Sequence, residues 1–330
     1  MQTPNIWLHR FSMLVIGATL SLIFIGGLVT TKDAGMSVPD WPTTFHFSMF
    51  SVPFTRWISE DAIKSGVFYE HSHRLFASIV GLLTVILAGW IWAIEQRPWM
   101  KLLGFAAVLL VIAQGVLGGL RVTHSSTVLA MIHGCAAQAF LCVLVLIAFA
   151  LSSAWTGLTP PVAGNLDGIF RMSWLLAGSV YVQLVIGAVM RHLKAGLAIP
   201  SFPQSGLNGE WIPPYWNTGI ALNFAHRVGA LVITLIVINL VALIFSIARK
   251  HSLLVRPAAW LSLLVLVQVF LGANIILKLR PPTLTTLHVV NGAALLATSF
   301  LLAIRVSRLS YENVTERPPQ FSPDMRKAAI

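Results

Sequence analysis

Four histidines, His73, His133, His226 and His288, each stand at or near the start of an apolar stretch long enough to cross a membrane. Neutral imidazole is a common metal ligand, and a facing pair inside a four-helix bundle is the usual way to hold haem iron by both axial positions. Ala77, Ala137, Ala230 and Gly292 follow four residues after each histidine. That spacing puts them on the ligand's own helix face, where a flat macrocycle needs room. Zinc is disfavoured, because neither half places a cysteine or carboxylate pair beside its two histidines.

The pairing rests on an internal repeat. "IGGLVTTKDAGMSVPDWP" (25–42) aligns without gaps on "IGAVMRHLKAGLAIPSFP" (186–203), and "SHRLFAS" (72–78) aligns on "AHRVGAL" (225–231). "QGVLGGL" (114–120) aligns on "QVFLGAN" (268–274), and "HGCAA" (133–137) on "HVVNG" (288–292). The chain thus reads as two copies of a four-helix unit, entered in the same order and related by an axis along the membrane normal. Each copy contributes one histidine pair. All four histidines open even-numbered helices, so they share one leaflet.

Composition supplies the elements that position them. Of 330 residues, 56% are hydrophobic and 10% charged, whereas soluble domains carry about 25% charged residues. Eight spans of about 20 residues fit, at roughly 11–31, 72–94, 102–122, 127–151, 170–191, 221–247, 257–277 and 284–304. The expected fold is an all-α integral membrane protein of eight transmembrane helices in two tandem four-helix bundles. Residues 1–155 form the first half, 156–310 the second, and 311–330 a polar tail. The net charge of +11 reads as membrane topology and anionic lipid, not nucleic acid. Arg10, Arg97, Lys101, Arg171, Arg249, Lys250, Arg256 and a basic tail (Arg305, Arg308, Arg317, Arg326, Lys327) outnumber Lys32, Arg56, Lys64, Arg121, Arg191, Lys194, Lys278 and Arg280 on the opposite side. That bias puts both termini in the cytoplasm. The first apolar segment lacks a small-residue cleavage pattern and reads as a retained helix. Cys135 and Cys142 are about 10 Å apart along one helix, so they pack and do not bridge.

Glu70 lies three residues before His73; its repeat partner is Asn223. Only the first half thus has a titratable carboxyl beside its metal centre. Electron transfer needs no acid or base, whereas chemistry on a bound substrate usually does. The first half reads as reactive and the second as an electron relay. The competing reading of Glu70 is a helix N-terminal charge favoured by the macrodipole. Arg74 and Arg227 follow their histidines directly, and either pair with haem propionates or snorkel to the interface. Arg121, Lys278 and Arg280 sit at the same outer level as weaker propionate candidates. The loop over 32–69, with many aromatics and prolines, is expected to cap the site.

"GGLVTTKDAGMSVPDWP", "YEHSHR", the His-Gly at 133–134, "AHR" at 225–227 and His288 resemble the haem A synthase family of bacteria and mitochondria. The resemblance runs to about residue 305. It implies oxidation of a ring methyl of haem O to the formyl group of haem A, by successive hydroxylations to a geminal diol and loss of water, for terminal oxidase biogenesis. It further implies Glu70 as the catalytic carboxylate and His73 and His133 as ligands of the substrate haem. His226 and His288 then resemble the ligands of a resident haem b. Implied partners are haem O, a haem O synthase, an electron donor, membrane lipid and a second copy of the chain, in a bacterial cytoplasmic membrane. Many bacterial members carry a cysteine pair around the outer Trp-Pro; here Ser37 and Thr44 flank Trp41-Pro42, so a disulfide role does not carry over. Two alternatives stay open: a dihaem b-type cytochrome that relays electrons without modifying haem, and a transporter built on repeats.

Overall fold

The computed structural model of the protein describes residues 5–156 and 164–315. Arg317, Arg326, Lys327 and the rest of the tail beyond residue 315 lie outside the described residues. Eight long helices carry the fold: α1 (Ile6–Thr31), α2 (Val67–Ile94), α3 (Pro98–Thr123), α4 (Thr127–Ala150), α5 (Asp167–His192), α6 (Thr218–Ile247), α7 (Ser252–Leu277) and α8 (Pro282–Thr315). All eight contain a stretch long and apolar enough to span a bilayer, so the chain is a multi-pass membrane protein.

Helices α1 and α6 begin a few residues before the apolar runs do, and polar caps set their first turns. The Asn5 side chain accepts the main-chain N–H groups of Trp7 and Leu8 at the head of α1. Ser126 caps α4 by accepting from Leu129, and Asn217 caps α6 by accepting from Ile220. Pro98 occupies the first turn of α3, where its missing N–H costs nothing.

The first four helices pack as a ring, α1 on α2, α2 on α3, α3 on α4 and α4 back on α1. The last four repeat it, α5 through α8, and the rings meet where α1 and α4 lie against α8, and α4 against α5. Each ring is filled with large apolar side chains at its inner end. Leu87, Ile91, Met100, Leu144 and Ile147 fill the first, and Ile169, Leu176, Leu240, Ile244 and Leu254 the second. The outer ends hold the histidines and most of the shared glycines. A feature absent from the sequence reading is a small antiparallel ladder in the first outer loop, pairing Thr43 with Ser48 and Thr44 with Phe47.

Candidate metal centres

Helices α2 and α4 bring His73 and His133 together, with ring centroids 6.5 Å apart and planes at 73°. Helices α6 and α8 do the same for His226 and His288, at 6.2 Å and 58°. A metal–imidazole bond is about 2 Å long, and the ring centre lies about 1 Å beyond the nitrogen. Two imidazoles on opposite sides of one iron therefore have centroids about 6 Å apart. Both pairs have the spacing of a bis-histidine haem. No three His, Cys, Asp or Glu side chains converge among the described residues, so a closed zinc cage lacks its donors.

Each imidazole lies against a glycine of an odd-numbered helix. A Cβ on Gly26 would sit 3.0 Å from Nε2 of His73, and one on Gly187 would sit 3.1 Å from Cε1 of His226. The corresponding distance is 3.3 Å for Gly118 against His133 and for Gly272 against His288. The even helices supply the imidazoles and the odd helices give way to them. The sequence reading looked for this room four residues after each histidine. Beside Gly292 that room is taken: Leu184 and Gln268 come within 3.1 and 3.3 Å of its Cβ position. The facing glycines were missed, although "IGG" over "IGA" and "LGG" over "LGA" stand in the same columns of the repeat.

Amides hold the histidine-bearing turns of the second half. The Gln183 side-chain nitrogen donates to the His226 carbonyl at 2.6 Å and lies 3.1 Å from its Nδ1. Gln268 donates to the His288 carbonyl at 3.1 Å, and Asn291 donates to the Gln268 oxygen at 2.6 Å. The rings of His133 and His288, at matching repeat positions, are buried beside the main chain of Gln114 and Gln268, themselves a matched pair.

Glu70 and Arg74 form a buried ion pair at 2.8 Å. The second Glu70 oxygen accepts the Val38 N–H at 2.9 Å. Arg74 also donates to the carbonyls of Asp40, Thr43 and Val38, at 2.6, 2.9 and 2.8 Å. The second half repeats the device without the charge. Arg227 donates to the Asn223 side-chain oxygen at 3.0 Å and to the carbonyls of Gln204 and Ile199 at 3.0 and 2.9 Å. Asn223 in turn donates to Ala195 and Gly196 at 3.1 and 3.0 Å. Neither arginine snorkels; both clamp an outer loop and keep few donors for a ligand.

The first loop covers the mouth of its half, as expected. Trp41 packs on Gly119 of α3, so closely that a Cβ there would meet the indole. Asp40 organises the loop tip by accepting from the Thr43 hydroxyl and from the N–H groups of Phe45 and His46, at 2.5, 2.8 and 2.9 Å. Burial alone would raise its pKa, but these bonds outweigh burial and hold it at about 2. His71, read from sequence as local support, is buried and packs on Trp57 with centroids 4.8 Å apart. Ser37, at one of the absent cysteine positions, instead bonds the Ser65 carbonyl at 2.7 Å. Cys135 and Cys142 are free thiols. Of the remaining basic candidates, Arg121 and Arg280 line a cavity between the halves, while Lys278 is exposed.

The COX15-CtaA family, described as cytochrome oxidase assembly protein, matches residues 9–300. The heme A synthase of Shouchella clausii (strain KSM-K16) is 29% identical over 276 residues, covering 82% of this chain and 87% of its own. That of Halalkalibacterium halodurans (strain C-125) is 29% identical over 316 residues, 91% of this chain and 99% of its own. That of Bradyrhizobium sp. (strain ORS 278) is 26% identical, covering 94% and 92%.

Proposed function

Since the chain belongs to the COX15-CtaA family of cytochrome oxidase assembly proteins, we propose that it is a haem A synthase, oxidising the ring methyl of haem O to the formyl group of haem A. The observation that carries this reading is the pair of repeat-related imidazole pairs at haem-iron spacing, only one of which has a carboxylate residue, Glu70, one helical turn before a histidine. Relatives called heme A synthase span most of both lengths and support it.

In this reading His73 and His133 hold the macrocycle of haem O in the first half. His226 and His288 hold a resident haem b in the second, which when bound supplies one-electron transfer. Gly26 and Gly118 let the imidazoles stand where they orient the ring. The loop over Trp41 keeps water from the outer mouth. Glu70 is the group that manages a proton at the methyl being oxidised. Both its oxygens are engaged, one by Arg74 and one by the Val38 N–H, so accepting a proton means releasing one of those bonds. Arg121 and Arg280 are the better propionate partners, because Arg74 and Arg227 are committed to loop carbonyls. Residues 1–155 are then the substrate half and 156–310 the relay half. The protein sits in a bacterial cytoplasmic membrane with both termini inside. It receives haem O from a haem O synthase and electrons from a separate donor.

The test is co-expression with a haem O synthase in a host that makes no haem A, followed by chromatography of extracted haems. Appearance of haem A supports the reading. Accumulation of unmodified haem O would leave an electron-relaying dihaem cytochrome as the function.

A further inference from the structure

A cavity of about 220 Å³ opens at the outer face between the two halves. Four of the odd helices end around it: Thr30 and Thr31 close α1, Arg121 closes α3, Arg191 and His192 close α5, and Arg280 follows α7. Lys194 also lines it. Against four formal cations the lining holds one carboxylate, Asp33. Helix C-termini favour cations here, and Arg191 uses that by donating to the Gly27 carbonyl at 2.6 Å and to the Thr31 hydroxyl, which ties the halves together. The side chains of Arg121, Lys194 and Arg280 have no hydrogen bond or ion pair among the described residues. Like charges gathered at a membrane protein's mouth repel strongly unless something negative joins them.

The position of the arginines says what that is. Arg121 lies three residues beyond Gly118, the glycine under His133, and Arg191 lies four beyond Gly187, the glycine under His226. Each arginine therefore leaves its helix about 5 Å further out than the glycine under its imidazole, on the same helix face. Arg121 is also within electrostatic reach of His73, His133 and Glu70. A macrocycle clamped between His73 and His133 with its acidic edge outward brings its carboxylates to this cavity.

We propose that the cavity between the halves is a carboxylate site that takes propionates of the haem held in the first half, with Arg121 from the first half and Arg191 and Arg280 from the second as its donors. The proposal rests on the haem reading above and adds that the substrate site is incomplete without the second half. Guanidinium suits this task, since it offers a carboxylate two parallel N–H donors. The same donors would take a phosphate, free or on a lipid headgroup.

The test uses the full chain carrying its resident haem b, titrated with iron protoporphyrin IX or with its dimethyl ester, whose propionates are masked. Binding is followed by the additional Soret absorbance. We expect wild type to bind the free acid at least about tenfold more tightly than the ester. Arg121→Gln and Arg280→Gln should each remove most of that preference and leave ester binding and the resident b-type spectrum unchanged. Lys278→Gln, outside the cavity, should keep the preference. Arg191→Gln also breaks the tie between halves, so the other two variants decide. Equal binding of acid and ester by wild type overturns the proposal, as does full preference in both variants. Loss of co-purifying anionic phospholipid in the variants, with haem preference intact, assigns the cavity to a lipid phosphate and overturns it too. Failure of wild type to bind either porphyrin overturns the haem reading of the first half and this proposal with it.

Discussion

Arg74 donates to the Val38 carbonyl at 2.8 Å, and Arg227 donates to the aligned Ile199 carbonyl at 2.9 Å. The two halves thus hold their outer loops by the same hand. The difference is in the residue four positions earlier, Glu70 in one half and Asn223 in the other. A neutral amide is sufficient to orient the clamp, so the charge at Glu70 is not required for the loop. That argues for a task in the chemistry.

The asymmetry has a measurable consequence for stability. Arg74→Gln strands a buried carboxylate, a loss of roughly 3–5 kcal/mol. Arg227→Gln strands only a neutral amide and loop carbonyls, about 1–3 kcal/mol. Thermal unfolding in detergent should therefore rank Arg74→Gln well below Arg227→Gln. The double variant Glu70→Gln/Arg74→Gln should recover part of the loss. Equal midpoints for the two single variants would show that the ion pair is not buried as described.

For activity the prediction at Glu70 is sharper. Glu70→Gln should keep bound haem while haem A production falls at least about a hundredfold, the scale of one acid–base group. Extracted haems and the visible spectrum of the same preparation read both quantities. Wild-type yield from this variant would reduce Glu70 to a helix-end charge.

The proposed role of the second-half histidines is tested by removal. His226→Ala or His288→Ala should abolish the tightly bound b-type absorbance of the purified protein, because one imidazole cannot supply both axial ligands. Full absorbance in either variant would contradict the pairing seen at 6.2 Å.

The glycines give a finer probe. A methyl on Gly187 would lie 3.1 Å from the His226 ring, closer than ordinary contact, so the imidazole must move. Gly187→Ala should weaken or shift the b-type spectrum. Gly178, on the same helix, has nothing within 4 Å of its Cβ position. Gly178→Ala should leave the spectrum alone and add helix stability of up to about 1 kcal/mol. Identical spectra for both variants would mean that Gly187 does not set the ligand's position.

Much of this was legible in the sequence, because long apolar helices and a repeat are one-dimensional signals. Apolar counting found all eight spans, and the repeat paired the four histidines, since residues that face each other across each half recur in the same columns. What escaped depends on the third dimension. The starts of α1 and α6 were placed late, because a cap is a hydrogen bond and not a hydrophobicity. Arg74 and Arg227 were read as ligand partners or snorkelling residues because neighbours in sequence suggested it. Beside Glu70 and Asn223, their partners include the loop carbonyls of Val38 and Ile199, 36 and 28 residues away. The cavity between halves was invisible for the same reason: Arg121 and Arg191 close two helices and Arg280 follows a third, across two repeats.

The first outer loop carries its own pH signature. The Asp40 carboxyl is held at about 2, below its ordinary 3.8, by the Thr43 hydroxyl and two backbone N–H groups that bind its charged form. A depressed folded-state pKa means the charged form is favoured by folding. The stabilisation is complete above about pH 4 and is lost as pH falls toward 2. Because the Asp40 carbonyl also receives Arg74, protonation loosens the tip and the clamp together. Protease protection of residues 40–48 should be flat from neutral pH to about 4 and fall steeply below it, measured with an acid-active protease. Asp40→Asn keeps the shape but cannot bind the three donors as an anion. It should show the low-pH level of protection throughout, with no step. A step of wild-type size in Asp40→Asn would assign the acid sensitivity to another group.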